Sequence, residues 1–131
     1  MKFKKIILVL TDVNDHEIMA SALQLCNKFK SKLFVLFIIE TGRVSRLARL
    51  TQKKSETMHK KIEDEGWQLL YMIEDEADKM GIWTSLHLED GAATTIVKKY
   101  IDAYGVDVIL MKRKLETKKL FASSTVPVIG L

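Results

Sequence analysis

Short apolar runs separated by longer amphipathic segments make up most of the chain, and this alternation predicts the fold. Five runs have the length of strands: KKIILVLTD, SKLFVLFIIE, IWTSLHLED, VDVILM and TVPVIGL. The first, second and fourth are nearly continuously apolar, which is typical of strands buried on both faces of a sheet. IWTSLHLED alternates more, which indicates a partly exposed face or an edge position. Pro127 in TVPVIGL cannot donate to a strand ladder, so we expect that strand at an edge or in an interface.

The segment after the first strand carries apolar residues at helical spacing. Its stripe has steps of four, three and four residues: Ile18, Ala22, Leu25 and Phe29. This spacing predicts a helix, and Asn14 or Asp15 is expected to cap its first turn. Cys26 lies on the same apolar face, so we expect a buried, unreactive thiol.

Further helices are predicted between the later strands. A long helix covers about residues 55–80 and ends at Gly81. Its apolar stripe is Met58, Ile62, Leu69, Ile73 and Ala77. GAATTIVKKYIDAYG predicts a third helix and LETKKLFAS a short last one. TGRVSRLARL fits either a long loop or a short helix with a solvated face of arginines, and the pattern leaves both open.

The order of these elements is β-α-β-α-β-α-β-α-β. Strands that alternate with helices form a parallel sheet with helices on both sides. We therefore expect a three-layer, doubly wound α/β fold, and the length of 131 residues suits one domain over 1–131.

Composition narrows the class of protein. Apolar residues make up 47% and charged residues 29% of the chain, as in soluble globular proteins. The longest apolar run, Leu33 to Ile39, is too short to cross a bilayer, and the amino-terminal run is too short for a signal peptide. We expect a cytoplasmic protein with no membrane partner. Net charge is +4, but 17 acidic residues are mixed among 21 basic ones, so no nucleic-acid partner is expected.

Residues of a binding or catalytic site are expected where the strands end, because ligands of such sheets bind beyond the carboxyl ends of the strands. The strand exits are Thr11-Asp12-Val13, Ile39-Glu40, Glu89-Asp90-Gly91 and Lys112-Arg113. Asp12 has the chemistry to accept hydrogen bonds from a ribose, a metal-bound water or the backbone of the next turn. The histidines show no metal-ligand spacing, and we find no nucleophile–base pair or cofactor motif. We therefore expect no catalytic residues, no metal and no enzyme activity.

The residues of three segments resemble the universal stress protein family. KKIILVLTDVNDHEIMASALQLCNKFKSKLFVLFIIE resembles its opening, in which a strand ending in a Thr-Asp pair leads into a helix and a Val/Leu/Ile-rich strand. GAATTIVKKYIDAYGVDVILM resembles its third helix and fourth strand, and VPVIGL its last strand. The resemblance covers nearly the whole chain.

The resemblance implies an adenine nucleotide alpha hydrolase-like fold with five parallel strands in the order 3-2-1-4-5. It also implies a homodimer that pairs through the last strand, Val126 to Leu131. Members that bind ATP hold the adenine at positions matching Asp12, Val13 and, approximately, Ile38. They wrap the phosphates in a G-x2-G-x9-G-[ST] loop after the fourth strand, where glycine lets backbone N–H groups approach the phosphate oxygens.

This sequence departs from the family at that loop. Lys112 stands at the first glycine position and Leu115 at the second, and no glycine occurs between Gly105 and Gly130. The segment is also roughly ten residues too short for the motif. Lysines bind phosphate as point charges but do not replace a cradle of backbone N–H donors. We therefore predict that family-type ATP binding is lost and that the protein has no cofactor.

Three hypotheses follow. The first is a dimeric stress-response module that acts through contacts with a protein partner. The second is binding of ATP, another adenine nucleotide or a small anion at a remodelled site formed by Thr11, Asp12, Lys112 and Arg113, with Lys114 as a further candidate. The third is a response-regulator receiver with Asp90 as phospho-acceptor. The lack of a lysine after the last strand and the long helix before the third strand argue against the receiver.

Overall fold

A sheet of five parallel strands forms the centre of the computed structural model, which describes residues 2–131 and all their side chains except those of 115 and 116. The strands are β1 (Lys5–Leu10), β2 (Lys32–Ile39), β3 (Thr84–Asp90), β4 (Val108–Met111) and β5 (Val128–Gly130). Their order is β3-β2-β1-β4-β5, and all four neighbouring pairs are parallel. The predicted fold class and strand order are confirmed.

Five α-helices connect the strands. They are α1 (Met19–Phe29), α2 (Thr41–Thr51), α3 (Ser55–Lys79), α4 (Ala93–Tyr104) and α5 (Leu115–Ser123). A 3-10 helical segment (Val13–Ile18) joins β1 to α1. Helices α1, α2 and α3 pack on one face of the sheet, whereas α4 and α5 pack on the other. TGRVSRLARL is therefore helical, as one of the two alternatives had it.

Residues of β1 alternate between the two faces of the sheet. Ile6, Leu8 and Leu10 face the helices α1 to α3, and Ile7 and Val9 face α4 and α5. All five are buried, because helices cover both faces, and this explains the continuous apolar run in the sequence. The edge strands β3 and β5 are only half-buried along most of their length, as their sequences predict.

The buried face of α1 differs from the predicted stripe, because Cys26 is buried in place of Leu25 and Phe29. Ile18, Ala22 and Cys26 are buried, whereas Phe29 is 42% exposed and stacks on Phe3 with ring centroids 4.4 Å apart. The prediction that Cys26 is buried is confirmed, and burial raises the pKa of its thiol to about 12. A thiol with this pKa stays protonated at neutral pH and is a poor nucleophile.

The long helix α3 lies close against the sheet. Four residues of its predicted stripe are buried: Met58, Leu69, Ile73 and Ala77. Gly66 permits the close approach, because a Cβ built there would stand 2.8 Å from Cδ1 of Phe37. The chain leaves the helix at Gly81, whose φ of +71° suits glycine, as the helix stop was predicted.

The connection from β4 to α5 is short. Only Lys112, Arg113 and Lys114 separate the two elements. Thr117 stabilises the start of α5 through its hydroxyl, which accepts from the Lys114 N–H at 2.9 Å and donates to the Lys112 carbonyl at 2.7 Å. In the described part of the chain, no helix combines the length and the apolar character needed to span a membrane.

The strand order excludes the receiver hypothesis. Receivers are doubly wound with the order 2-1-3-4-5, so their third strand lies beside the first. Here β3 is an edge strand, and β2 separates it from β1. Asp90, at the end of β3, instead lies 2.9 Å from Nε2 of His59.

Candidate functional site

A polar crevice opens at the carboxyl ends of β1 and β4, where the strand order reverses. It has a volume of about 290 Å³. Its lining residues are Thr11, Asp12, Asn14, Asp15, Glu40, Arg43, Arg46, Lys112 and Lys114. We call it the switch-point crevice, and it is the position at which ligands of doubly wound sheets bind.

A buried ion pair holds one side of the switch-point crevice together. The Lys114 Nζ lies 2.6 Å from Oδ1 and 2.8 Å from Oδ2 of Asp15, whose side chain is only 2% exposed. Oδ2 also accepts from the Thr11 N–H at 2.8 Å, and the ammonium donates to the Thr11 hydroxyl at 2.8 Å. The start of α5 is thereby tied to the end of β1.

Neither Asn14 nor Asp15 caps the first turn, and that prediction is wrong. Asp12 has extended backbone (φ −153°, ψ 150°) just before the 3-10 segment, and its Oδ1 accepts from the Asn14 N–H at 2.9 Å. The turn begins at Val13, so Asp12 occupies the capping position. Asp15 lies within the turn, and its side chain points to the end of β1 instead.

Arg43 of α2 forms an ion pair with Asp12, the second carboxylate of the crevice. Its guanidinium donates to Oδ2 of Asp12 and to the carbonyl of Thr11. Burial opposes ionisation of Asp12, but the Asn14 hydrogen bond and the charge of Arg43 outweigh it and lower the pKa of the carboxyl. Asp12 is therefore ionised and already paired.

A third ion pair joins Lys112 to Glu17 at 2.8 Å. The hydrogen bond between them raises the pKa of Lys112 and lowers that of Glu17. The cations of Lys112, Lys114 and Arg43 thus each contact a carboxylate of the same chain. These three pairs compensate charges within the crevice, whereas Arg46 also lines it and forms no ion pair with a carboxylate side chain that the structure describes.

A second, apolar pocket adjoins the switch-point crevice and shares Thr11, Asp12, Glu40 and Arg43 with it. Its volume is about 210 Å³, and it lies between the ends of β1 and β2 and the helices α2 and α3. Its apolar walls are Val13, Phe37, Ile39, Val44, Leu47, Met58 and Ile62. A cavity of roughly 150 Å³ accommodates a benzene ring, so this pocket has room for a flat ring system.

The structure brings four of the six predicted site residues together. Thr11, Asp12, Val13 and Lys112 line the crevice or the apolar pocket. Ile38 is fully buried on the opposite face of the sheet, because it alternates with Phe37 and Ile39 along β2. Arg113 is exposed and points to the end of β5, where its Nε donates to the Gly130 carbonyl at 3.2 Å.

The roles of Arg43 and Glu17 were not predicted from the sequence, and Asp15 was wrongly expected to act as a cap. The position of Arg43 could have been predicted, because a helix that begins directly after β2 places its first turn beside the end of β1. Apart from the side chains of 115 and 116, the described residues contain no group of three or more His, Cys, Asp or Glu side chains able to hold a metal ion.

No family model matches the sequence, and no curated protein matches it. Solved structures do match over nearly the full chain. A universal stress protein family member from Burkholderia pseudomallei superposes with a TM-score of 0.78 at 14% identity, covering 98% of this chain and 96% of that one. A universal stress protein in complex with cAMP gives a TM-score of 0.68 at 12% identity, with 100% and 98% coverage.

A third match is a universal stress protein family protein from Arabidopsis thaliana with AMP bound. Its TM-score is 0.64 at 11% identity, covering 98% of this chain and 90% of that one. At such low identities the matches establish architecture, and they agree with the observed strand order β3-β2-β1-β4-β5. The chain therefore has the universal stress protein fold.

Proposed function

We propose that this chain is a regulatory, stress-response domain of the universal stress protein type. In this proposal it works as a homodimer, acts through protein contacts and does not hold ATP in the manner of the glycine-loop members. The observation that carries the proposal is the internal neutralisation of the switch-point crevice by Lys114–Asp15, Arg43–Asp12 and Lys112–Glu17.

Of the four cations that line this crevice, only Arg46 forms no ion pair with a described carboxylate side chain, so a polyphosphate would also need cations from the internal pairs. If Lys114 turned to a phosphate, the carboxylate of Asp15 would stay buried without its partner. Leaving a buried charge uncompensated costs about 3–5 kcal/mol. The three residues from Lys112 to Lys114 all carry a Cβ, so their backbone also lacks the access that glycine gives to phosphate oxygens.

The proposed homodimer pairs through the last strand, Val126 to Leu131. Within this chain β5 has β4 as its strand neighbour and forms one edge of the sheet. An edge strand presents backbone donors and acceptors that a second copy is able to pair with. Pro127 stands just before β5, where it does not interrupt the strand.

Isothermal titration with ATP and magnesium tests the loss of ATP binding. We expect no saturable heat with ATP in the micromolar range, because the cost of opening the Lys114–Asp15 pair opposes binding. The Arabidopsis thaliana protein that was crystallised with AMP serves as a positive control, titrated with AMP. A micromolar dissociation constant for ATP on this chain would refute the proposal.

The apolar pocket beside Asp12 favours a second candidate function, binding of a small adenine nucleotide. The base would occupy the apolar pocket and Asp12 would face the ribose, while Lys112, which lines the adjoining crevice, would meet a single phosphate. One of the structurally similar universal stress proteins is in complex with cAMP, and the Arabidopsis thaliana protein has AMP bound. The size of the pocket, about 210 Å³, supports this candidate.

Thermal melting with and without AMP tests the second candidate. A stabilising shift is expected in the wild type and is expected to disappear in Leu47→Trp, which fills the pocket. Lys112→Ala should weaken the shift by removing the phosphate partner. If AMP shifts the wild type and both variants equally, the ligand lies elsewhere and this candidate fails.

A further inference from the structure

The net positive charge of the chain is concentrated in one segment. Residues 41–61 contain seven of the 21 basic residues but one of the 17 acidic ones, a local charge of +6. The rest of the chain has 14 basic and 16 acidic residues and so carries −2. The net charge of +4 therefore arises wholly from α2, its connection to α3 and the first turns of α3.

Most of these cations are not used inside the molecule. Arg43 pairs with Asp12, and Lys60 pairs with Asp64. Arg46, Arg49, Lys53 and Lys54 are exposed and form no ion pair with any carboxylate whose side chain the structure describes. Together with Leu50, these four residues make up what we call the α2 surface.

The packing of α2 fixes which side faces outward. Val44 and Ala48 are buried against the core, so the opposite side of the helix faces solvent. Arg46 and Arg49 are three residues apart on that side, and Leu50 beside them is 75% exposed. The helix closes with Gln52 in a left-handed conformation, and Lys53 and Lys54 follow directly at its carboxyl end.

We propose that the α2 surface binds an anionic lipid membrane as a peripheral contact, independently of any nucleotide. Four unpaired cations complement a layer of anionic headgroups, and the exposed Leu50 is placed to enter the boundary between headgroups and acyl chains. This proposal departs from the expectation of no membrane partner, which rested on the absence of a long enough apolar run, because a peripheral contact needs no spanning helix.

Residue types in the segment favour a lipid surface over a nucleic acid. Proteins that bind single strands stack the bases on aromatic side chains. Residues 41–61 contain no Phe, Trp or Tyr. The exposed apolar side chain of Leu50 has no partner on a phosphate backbone, whereas a lipid interface accommodates it.

Vesicle co-sedimentation tests the proposal with the full chain. Vesicles of phosphatidylcholine and phosphatidylglycerol in equal parts are compared with vesicles of phosphatidylcholine alone. We expect the protein to sediment with the anionic vesicles only, and expect binding to fall as salt is raised, because exposed charges are screened. Equal sedimentation with both kinds of vesicle, or with neither, would overturn the proposal.

Paired variants locate the contact. Arg46→Ala with Arg49→Ala should lower the partition onto anionic vesicles about 30-fold, which corresponds to about 1 kcal/mol per cation. Arg46→Lys with Arg49→Lys should retain binding, and Leu50→Ser should weaken it at unchanged charge. The control is Lys118→Ala with Lys119→Ala, which removes two exposed cations from α5 on the opposite face of the sheet.

Three outcomes would count against the α2 surface. One is an equal loss of binding in the α5 control, which would indicate a non-specific effect of net charge. Another is unchanged binding in the Arg46/Arg49 alanine variant. The third is arginine-dependent binding to a single-stranded oligonucleotide without binding to vesicles, which would assign the surface to nucleic acid. Circular dichroism of each variant confirms that the fold is retained.

Discussion

At the scale of single residues, Lys114 and Asp15 form an ion pair in which the carboxylate is buried. They lie 99 positions apart in the chain, and their contact spans the end of β1 and the start of α5. The Asp15 side chain is 2% exposed, whereas that of Lys114 is 21% exposed. The two partners are therefore not equivalent, because the lysine has access to water and the carboxylate does not.

Replacing Lys114 by methionine should destabilise the protein by about 3 kcal/mol, since it leaves Asp15 buried and unpaired. Urea unfolding followed by circular dichroism measures the change. Lys118→Met, on the exposed side of α5, removes the same charge and should change the free energy of unfolding little. Asp15→Asn combined with Lys114→Met should recover part of the loss. A cost for Lys114→Met no larger than that for Lys118→Met would contradict the prediction.

Asp12 should make the stability of the protein fall in acid. Its folded-state pKa lies below the ordinary value of 3.8, so the unfolded chain binds more protons at low pH. The stabilisation is fully present above about pH 4 and is lost as the pH falls through the folded pKa. We expect Asp12→Asn to lose up to about 1 kcal/mol at neutral pH. The difference from the wild type should shrink toward pH 3, as urea midpoints across this range would measure.

Arg43→Met provides the control for this pH effect. With the guanidinium gone, the Asp12→Asn substitution should change the acid dependence less than it does in the wild-type background. An equal pH dependence in both backgrounds would mean that Arg43 does not hold the pKa of Asp12 down.

At the scale of elements, helix α3 depends on a glycine in its middle. Gly66 allows the helix to approach Phe37 of β2 and Leu88 of β3. Phe37 is 1% exposed, so its ring has little freedom to move away from an added methyl group. The close packing of α3 on the sheet thus outweighs the ordinary preference of helices for alanine over glycine.

Gly66→Ala should destabilise the protein by about 1–3 kcal/mol through overpacking against Phe37. Gly42→Ala is the matched control, because it is also a helical glycine and a Cβ there meets no atom within 4 Å. That change should stabilise the protein by about 0.5–1 kcal/mol through helix propensity. The prediction fails if both substitutions shift the thermal midpoint in the same direction.

Most elements could be predicted from periodicity because each buries a long, regular apolar pattern. TGRVSRLARL was ambiguous because its buried face is short and centres on Val44 and Ala48. Ile38 was assigned to the site because it approximately matches a family position. Side chains alternate along a strand, so an error of one residue in that match moves the side chain to the opposite face of the sheet. The cap was predicted at Asn14 or Asp15 but lies at Asp12, because its position depends on the residue at which the turn begins, and composition alone does not fix that residue.

At the scale of the whole molecule, local sequence patterns do not determine the strand order or the oligomeric state. The order 3-2-1-4-5 came from the family resemblance, and the sheet confirms it. The homodimer also came from that resemblance and stays a prediction. Arg43, Lys112 and Lys114 come from separate segments, so their shared crevice follows only from the assembled sheet.

Sedimentation velocity should show a species of twice the 15.0 kDa chain mass. The ladder to β4 uses the Pro127 carbonyl and the Leu131 N–H, so the N–H of Val128 points to the open edge. Val128→Pro removes that donor and should yield monomers, whereas Val128→Ala keeps it and should stay dimeric. A wild-type protein that sediments as a monomer at all concentrations would contradict the dimer.

The central position of β1 has a consequence for synthesis of the chain on the ribosome. Ile6 pairs with Leu33 on one side but with Val108 on the other. The edge of β1 that faces β4 therefore stays bare until residues 108–111 have been translated. Contacts between residues so distant along the chain form slowly. During this interval the nascent β1 exposes apolar residues and unpaired backbone, the features through which incomplete chains aggregate.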